Sequence, residues 1–177
     1  HDLAAQILLD CRTDPQLSAP LVRAMMEARD PETAEPLTDE EICHELVIFL
    51  ASGLETTATT LAYALWALGR HREIFDRVAA EVSAVDEAAL RTNPRSHLPY
   101  TVSVIQEALR LGGPTPAVMR IARQDMAVDG FRVEAGSMLM VGVYAMHRDP
   151  QLWDRPLEFD PDRFSAGRSR MQWQFLP

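Results

Sequence analysis

The chain has 177 residues, 47% hydrophobic and 24% charged, an ordinary globular composition with enough apolar material for one sizeable core. Seventeen basic residues against 26 acidic ones give a net charge of −9, which sets aside non-specific binding to nucleic acid or to anionic membranes. Cys11 and Cys43 form neither a metal spacing nor a disulfide framework, so buried thiols in a reducing, cytoplasmic setting are expected. The sequence opens on His1 rather than methionine, which leaves an upstream anchor open.

Residues 2–12 and 20–29 are predicted amphipathic helices, divided by the polar turn Thr13-Asp14-Pro15. A loop over 30–36 leads to Thr38-Asp39-Glu40-Glu41, which has capping-box spacing. Thr38 can cap the Glu41 amide while the Glu41 side chain returns the bond, with Leu37 and Ile42 placed as a hydrophobic staple. The helix that starts there runs over about 39–70, roughly 45 Å. It is apolar nearly all the way round, which predicts burial among other helices. Yet Gly53, Glu55, Thr56 and Thr57 sit in its middle. A mid-helix glycine costs about 1 kcal/mol against alanine, and an acid in a dry place needs a partner. Such a local fault marks a working site. Glu55 and the flanking threonines also argue against a bilayer, so no membrane segment is expected.

Residues 72–85 form the next predicted helix, with Ile74, Val78, Val82 and Val85 on one stripe and Glu73–Arg77 as an i,i+4 ion pair. Residues 92–96 read as a solvated loop. A helix over about 101–111 turns Val102, Ile105 and Leu109 inward and stops at Gly112-Gly113-Pro114. Glu107 and Arg110 share a face of it, and such a pair by itself means little. From Met126 the period changes. Residues 126–128 and 131–133 flank Asp129-Gly130 as a hairpin, Ala135-Gly136 makes a second turn, and 137–143 reads as a buried strand, giving a β region over about 126–143. His147-Arg148-Asp149-Pro150 starts a short turn or helix carrying Trp153. Residues 157–164 are irregular and anchored by aromatics, and a polar tail runs to Phe175-Leu176-Pro177. The expected fold class is mainly α with a small β-hairpin or sheet.

Four signals now stand in order: Gly53-x-Glu55-Thr56-Thr57, Glu107-x-x-Arg110, His147-Arg148-Asp149-Pro150, and Phe159-Asp160-Pro161-Asp162-Arg163-Phe164 leading to Phe175-Leu176-Pro177. Together they resemble the cytochrome P450 family, the haem-thiolate monooxygenases, clearly from Thr38 onward. The resemblance implies a single partial domain over 1–177, the C-terminal half of that fold truncated at both ends, with the approach to the haem loop over 157–177. It implies haem b, insertion of one oxygen atom from dioxygen into a lipophilic small molecule, and NAD(P)H electrons delivered through a ferredoxin- or reductase-type donor. Gly53 would let the long helix pass close over haem and open to a water. Glu55 and Thr56 would form an acid–alcohol pair that moves protons through water; alternatively the threonines only back-bond within the helix. Glu107, Arg110 and Arg163 would make a buried support for the chain leading to the haem loop, two guanidinium forks around one carboxylate. Arg120 would meet a haem propionate, or remain a surface arginine. Phe49, Leu50, Pro116 and Val118 would line the substrate pocket, with Leu46, Ala51, Leu54 and Ala117 nearby. His147 would be a hydrogen-bonded structural histidine rather than a ligand.

The departures from the family pattern are specific. Ser52 stands where Ala or Gly is usual, and Gly112-Gly113-Pro114 replaces a His-Pro-Pro-like turn. The family continues into Phe-Gly-x-Gly-x-x-x-Cys-x-Gly, so the iron-ligating cysteine is expected beyond Pro177, and neither Cys11 nor Cys43 takes its place. The chain by itself is expected to be inactive. The alternative is a non-enzymatic, truncated helical interaction module derived from the same fold, using exposed apolar surface.

Overall fold

The computed structural model describes residues 2–165 and 173–177. The chain divides into two compact units, His1–Thr57 and Ala58–Pro177, with the division inside one helix.

In the first unit, α1 (Asp2–Thr13), α2 (Pro20–Glu27) and the N-terminal part of α3 (Asp39–Arg70) enclose a small core. Ala4, Leu8 and Cys11 come from α1, Val22 and Met25 from α2, and Ile42, Cys43 and Leu46 from α3. Both thiols are therefore buried, and Leu46 is a core residue rather than a pocket-lining one. The helix expected over 20–29 stops at Glu27, because Ala28 turns extended and Arg29 bridges Pro36. The capping box closes in both directions. Glu41 N donates to Thr38 Oγ1 at 3.3 Å, while Thr38 N and Oγ1 donate to the Glu41 carboxylate at 2.7 and 2.8 Å. These bonds, the Thr38 amide first, hold the Glu41 carboxyl below its ordinary range. Leu37 packs against the same core as Ile42.

Past Leu46 the expected burial of α3 fails within this unit: Val47, Ile48, Phe49, Leu50 and Leu54 are 39% to 74% exposed. An all-round apolar surface records what a helix is built to touch, and α1 and α2 reach only its first turns. Among the described residues α3 is also the one helix long and apolar enough to cross a membrane.

The second unit holds the rest of α3, then α4 (Arg72–Ser83), α5 (Glu87–Thr92), α6 (Pro94–His97) and α7 (Pro99–Gly112). Residues 92–96 are not the expected loop. Asp86 accepts from the Ala89 amide at 2.7 Å and Asn93 from the Ser96 amide at 3.3 Å, so two side-chain caps start two short helices there. The expected Glu73–Arg77 pair does not form. Arg77 reaches Asp162 with both terminal nitrogens, at 2.8 and 2.9 Å, and the i,i+4 pair on α4 is Arg72–Asp76 at 2.9 Å. A carboxylate held in a fixed turn offers the planar fork two parallel bonds that a neighbour on the same helix does not.

α7 begins on Leu98, which supplies no side-chain cap. Glu81 of α4 supplies it instead, accepting from the Tyr100 and Thr101 amides at 2.7 and 2.8 Å and from Thr101 Oγ1 at 2.7 Å. Burial pushes the Glu81 carboxyl up, but these three bonds together outweigh it and leave the group below its ordinary range. The buried face of α7 is Ser103, Val104, Glu107, Ala108, Arg110 and Leu111. Val102, Ile105 and Leu109 look instead onto an apolar groove of about 420 Å³ that Phe175 and Pro177 also line. The expected face is thus the wrong one, because the polar pair is itself what α7 buries.

Four short strands follow. The hairpin of β2 (Met126–Val128) and β3 (Phe131–Val133) turns on Asp129 (φ 49°) and Gly130 (φ 81°), the left-handed pair a two-residue connection needs. β4 (Met138–Val141) pairs antiparallel with β1 (Val118–Ile121), a strand the sequence reading missed because it spans four residues with an arginine in the third. β4 is not buried as expected: Met138 and Met140 are 69% and 70% exposed, since a two-stranded ribbon in this unit has no covering layer. α8 (Val143–Met146) and a 3-10 turn (Pro161–Phe164) complete the unit. Part of the expected polar tail, residues 166–172, lies outside the described residues.

Candidate functional site

In the second unit the polar centre lies under α7. Glu107 and Arg110, one turn apart, are 0% and 1% exposed. Arg110 Nε donates to Glu107 Oε2 at 2.7 Å and Nη2 to Oε1 at 2.8 Å, a closed fork. The remaining donors reach backbone carbonyls: Nη1 to His147 and Pro156, both at 2.6 Å, and Nη2 to Glu158 at 3.1 Å. Glu107 Oε1 also accepts the Asp160 amide at 2.9 Å. One ion pair therefore fixes four backbone sites of a segment with little regular structure. Burying such a pair is costly in itself, and its return here is geometric rather than energetic.

Arg163 joins on different terms from those expected. Its Nε lies 3.4 Å from Glu107 Oε1 but is not aligned for a hydrogen bond. Its fork is spent on the carbonyls of Asp154 and, at 2.7 Å, Arg155. The two guanidiniums are thus unequal: Arg110 forks the carboxylate, and Arg163 adds charge beside it while holding the next turn. Arg155 in that turn has φ 44°, a left-handed conformation uncommon outside glycine and asparagine. Its side chain is held by Glu158 at 2.6 Å and Asp160 at 3.2 Å.

Two further residues contribute: His147, already read as a hydrogen-bonded structural histidine, and Glu81, which escaped the sequence reading. His147, 2% exposed, accepts the Leu176 amide on Nε2 at 3.1 Å and stacks on Phe175, with ring centroids 5.3 Å apart. Glu81 caps α7 from a separate helix, and the missing cap residue before Pro99 was the one sequence signal that something else had to. Arg120 stands exposed on β1 opposite Leu139, its guanidinium bonded to the Met119 carbonyl at 2.8 Å. Pro116 accepts the Tyr144 amide at 2.9 Å, and Val118 is half-buried.

In the first unit α3 runs through Gly53 with no break, and a side chain added there would meet nothing within 4 Å. No neighbour in the unit demands the glycine. Ser52 Oγ donates to the Ile48 carbonyl and Thr56 Oγ1 to the Ser52 carbonyl, both at 2.6 Å, so the back-bonded geometry is the one present. Glu55, Phe49 and Leu50 are exposed.

For a haem, the first unit by itself offers a bare glycine on a long helix and an exposed acid beside a hydroxyl, and the second unit by itself offers an exposed arginine. They do not supply an axial thiolate. Cys11 and Cys43 are enclosed in the first unit's core, and no group of three or more His, Cys, Asp or Glu able to hold a metal occurs among the described residues.

Comparison with known proteins gives one answer. The chain is 37% identical to a cyclooctat-9-en-7-ol 5-monooxygenase of Streptomyces melanosporofaciens over 85% of its own length and 33% of that protein's. It is 39% identical to thromboxane-A synthase of Rattus norvegicus over 82% of its own length and 28% of that protein's. Among solved structures, a retinoic acid-bound cyanobacterial CYP120A1 superposes with a TM-score of 0.81 at 28% identity, covering 92% of this chain and 38% of that one. The chain spans about a third of the length of such relatives. A model described as cytochrome P450 matches residues 1–177 from end to end, and the chain belongs to that family.

Proposed function

We propose that the longer protein containing these residues is a haem-dependent monooxygenase that inserts one oxygen atom from dioxygen into a lipophilic substrate, with NAD(P)H-derived electrons arriving through a ferredoxin- or reductase-type partner in the cytoplasm. The observation that carries this is the Glu107–Arg110 fork, which spends a buried ion pair on fixing residues 147 and 156–160, the family's approach to its haem loop. Haem b, when bound, supplies the activation of dioxygen. Arg120 would be the residue to hold one of its propionates, and Gly53 would keep the helix backbone free of a side chain toward the haem. Thr56 commits its proton to the Ser52 carbonyl, so its oxygen accepts from a water and orients it. Glu55, exposed one position earlier, exchanges protons with that water. Phe49, Leu50, Pro116 and Val118 offer apolar surface to substrate. The names of two relatives, with cyclooctat-9-en-7-ol and retinoic acid, agree with a hydrocarbon-rich substrate class.

The test is a carbon monoxide difference spectrum. The longer protein, reduced, is expected to show a thiolate-type Soret band. The 177-residue chain with added haem is expected to show none and to be inactive, since the axial cysteine is not in it. A thiolate-type band from the chain alone, or its absence from the longer protein, overturns the reading. In that protein Thr56→Val is expected to divert oxygen consumption from product to peroxide severalfold, while Thr56→Ser keeps coupling. Equal coupling in Thr56→Val and wild type would remove Thr56 from the relay.

A further inference from the structure

His147 stands at a junction that the proton relay and the ion pair leave unexplained. Its carbonyl is gripped by Arg110 at 2.6 Å, and its ring accepts the Leu176 amide on Nε2 at 3.1 Å. One residue therefore joins the buried pair to the segment 173–177. The ring is walled by Phe175, stacked at 27°, and by Trp153, edge-on at 88°, and Phe175 is wedged on its other side by Phe164 with centroids 4.8 Å apart. A ring nitrogen that accepts an N–H must carry a lone pair, so the imidazole in this arrangement is neutral with its proton on Nδ1.

We propose that His147 is a positioning residue that latches the segment 173–177 to the Arg110 end of α7 while its imidazole is neutral, and releases it on protonation. A proton on Nε2 would turn the acceptor into a donor facing the Leu176 N–H, which the enclosed ring cannot escape by swinging into water. The cationic side chains nearby oppose protonation. α7 brings Arg110, with Glu107 bound to it; α8 brings Tyr144; the residue after the ring is Arg148; and Trp173-Gln174-Phe175-Leu176-Pro177 brings no charged side chain, its one charge in the 177-residue chain being the Pro177 α-carboxylate, which favours protonation. Burial accordingly lowers the proton affinity of His147 below the ordinary value of 6.5, opposed by a hydrogen bond to the Arg110 backbone and reinforced by the Arg110 and Arg148 cations. A depressed histidine is fully stabilising above 6.5, and its contribution is lost as pH falls below that value. Released, the ring regains its ordinary affinity, so acid drives the open state. In the longer protein this segment leads toward the family's cysteine loop, a consequence that rests on the proposed function; the latch itself does not.

The test is amide hydrogen exchange on the 177-residue chain, read as protection factors so that the intrinsic pH dependence cancels. Protection at Leu176 is expected to fall, by up to about tenfold, between about pH 7.5 and 5.5, with the α7 amides unchanged. His147→Asn, which can offer an oxygen acceptor that does not titrate, is expected to keep Leu176 protected at both pH values. His147→Leu is expected to lose that protection at both. Leu176 protection that ignores pH in the wild type, or that falls as steeply in His147→Asn, overturns the latch. So does a parallel loss across α7, which would make acid a global effect, and so do α7 amides unprotected at neutral pH. Because no haem is present, failure of the latch and failure of the monooxygenase reading are separately visible.

Discussion

Arg110→Lys is expected to destabilise the second unit by about 3–5 kcal/mol, the scale of breaking a buried pair by removing one partner. The guanidinium makes five hydrogen bonds, two to Glu107 and three to carbonyls of His147, Pro156 and Glu158. An ammonium has three donors on a single atom and cannot fork the carboxylate while spanning three carbonyls. The groups it abandons stay buried without partners, which is the expensive outcome. Against a typical domain stability of about 5–15 kcal/mol, the loss leaves little margin. Urea unfolding followed by fluorescence suits the site, because the Arg110 guanidinium lies 5.0 Å from the Trp153 ring. Arg163→Lys is the control. Its Nε makes no hydrogen bond to Glu107, so a cost of about 1–2 kcal/mol is expected from its two carbonyl contacts. Equal costs for the two variants, or a loss under about 1 kcal/mol for Arg110→Lys, would contradict the unequal roles. In the longer protein, Arg110→Lys is expected to abolish haem incorporation rather than slow turnover.

What could be read from the sequence was whatever local chemistry decides. The capping box set the start of α3 at Asp39, and Asp129-Gly130 set the hairpin, because in each case the needed hydrogen bonds or backbone angles lie within a few residues. What could not be read was decided at a distance. The inward face of α7 was misassigned because apolar periodicity assumes that polar residues face water, whereas here Glu107 and Arg110 satisfy each other and are fully buried. Arg77 left Glu73 for Asp162, 85 positions away. In the first unit the described residues leave the apolar surface of α3 past Leu46 without a covering element. Within the site, the polar pair was legible only through the family resemblance, since its spacing alone means little, and the split between a forking Arg110 and a flanking Arg163 was not legible, since it depends on where the turn at 154–155 places its carbonyls.

The Gly112-Gly113 turn yields the second large effect. Gly112 closes α7, and a methyl group added there would run into Cγ and both Cδ atoms of Tyr63. On helix propensity alone Gly112→Ala should gain about 1 kcal/mol. The atoms in the way are the root of a ring, not the free end of a flexible chain, so the ring can yield only by leaving its χ1 rotamer or shifting its backbone. Tyr63 is further confined by Trp66 and Phe159, at centroid distances of 5.3 and 6.5 Å. Overpacking of this kind costs about 1–3 kcal/mol, and the net result expected for Gly112→Ala is destabilisation of about 1 kcal/mol. A double-mutant cycle separates the two contributions. With Tyr63→Ala as background the obstruction is gone, and Gly112→Ala should become neutral or stabilising, a coupling of about 2 kcal/mol between residues 49 positions apart. If alanine at 112 costs the same with and without the tyrosine ring, the ring is not what requires the glycine.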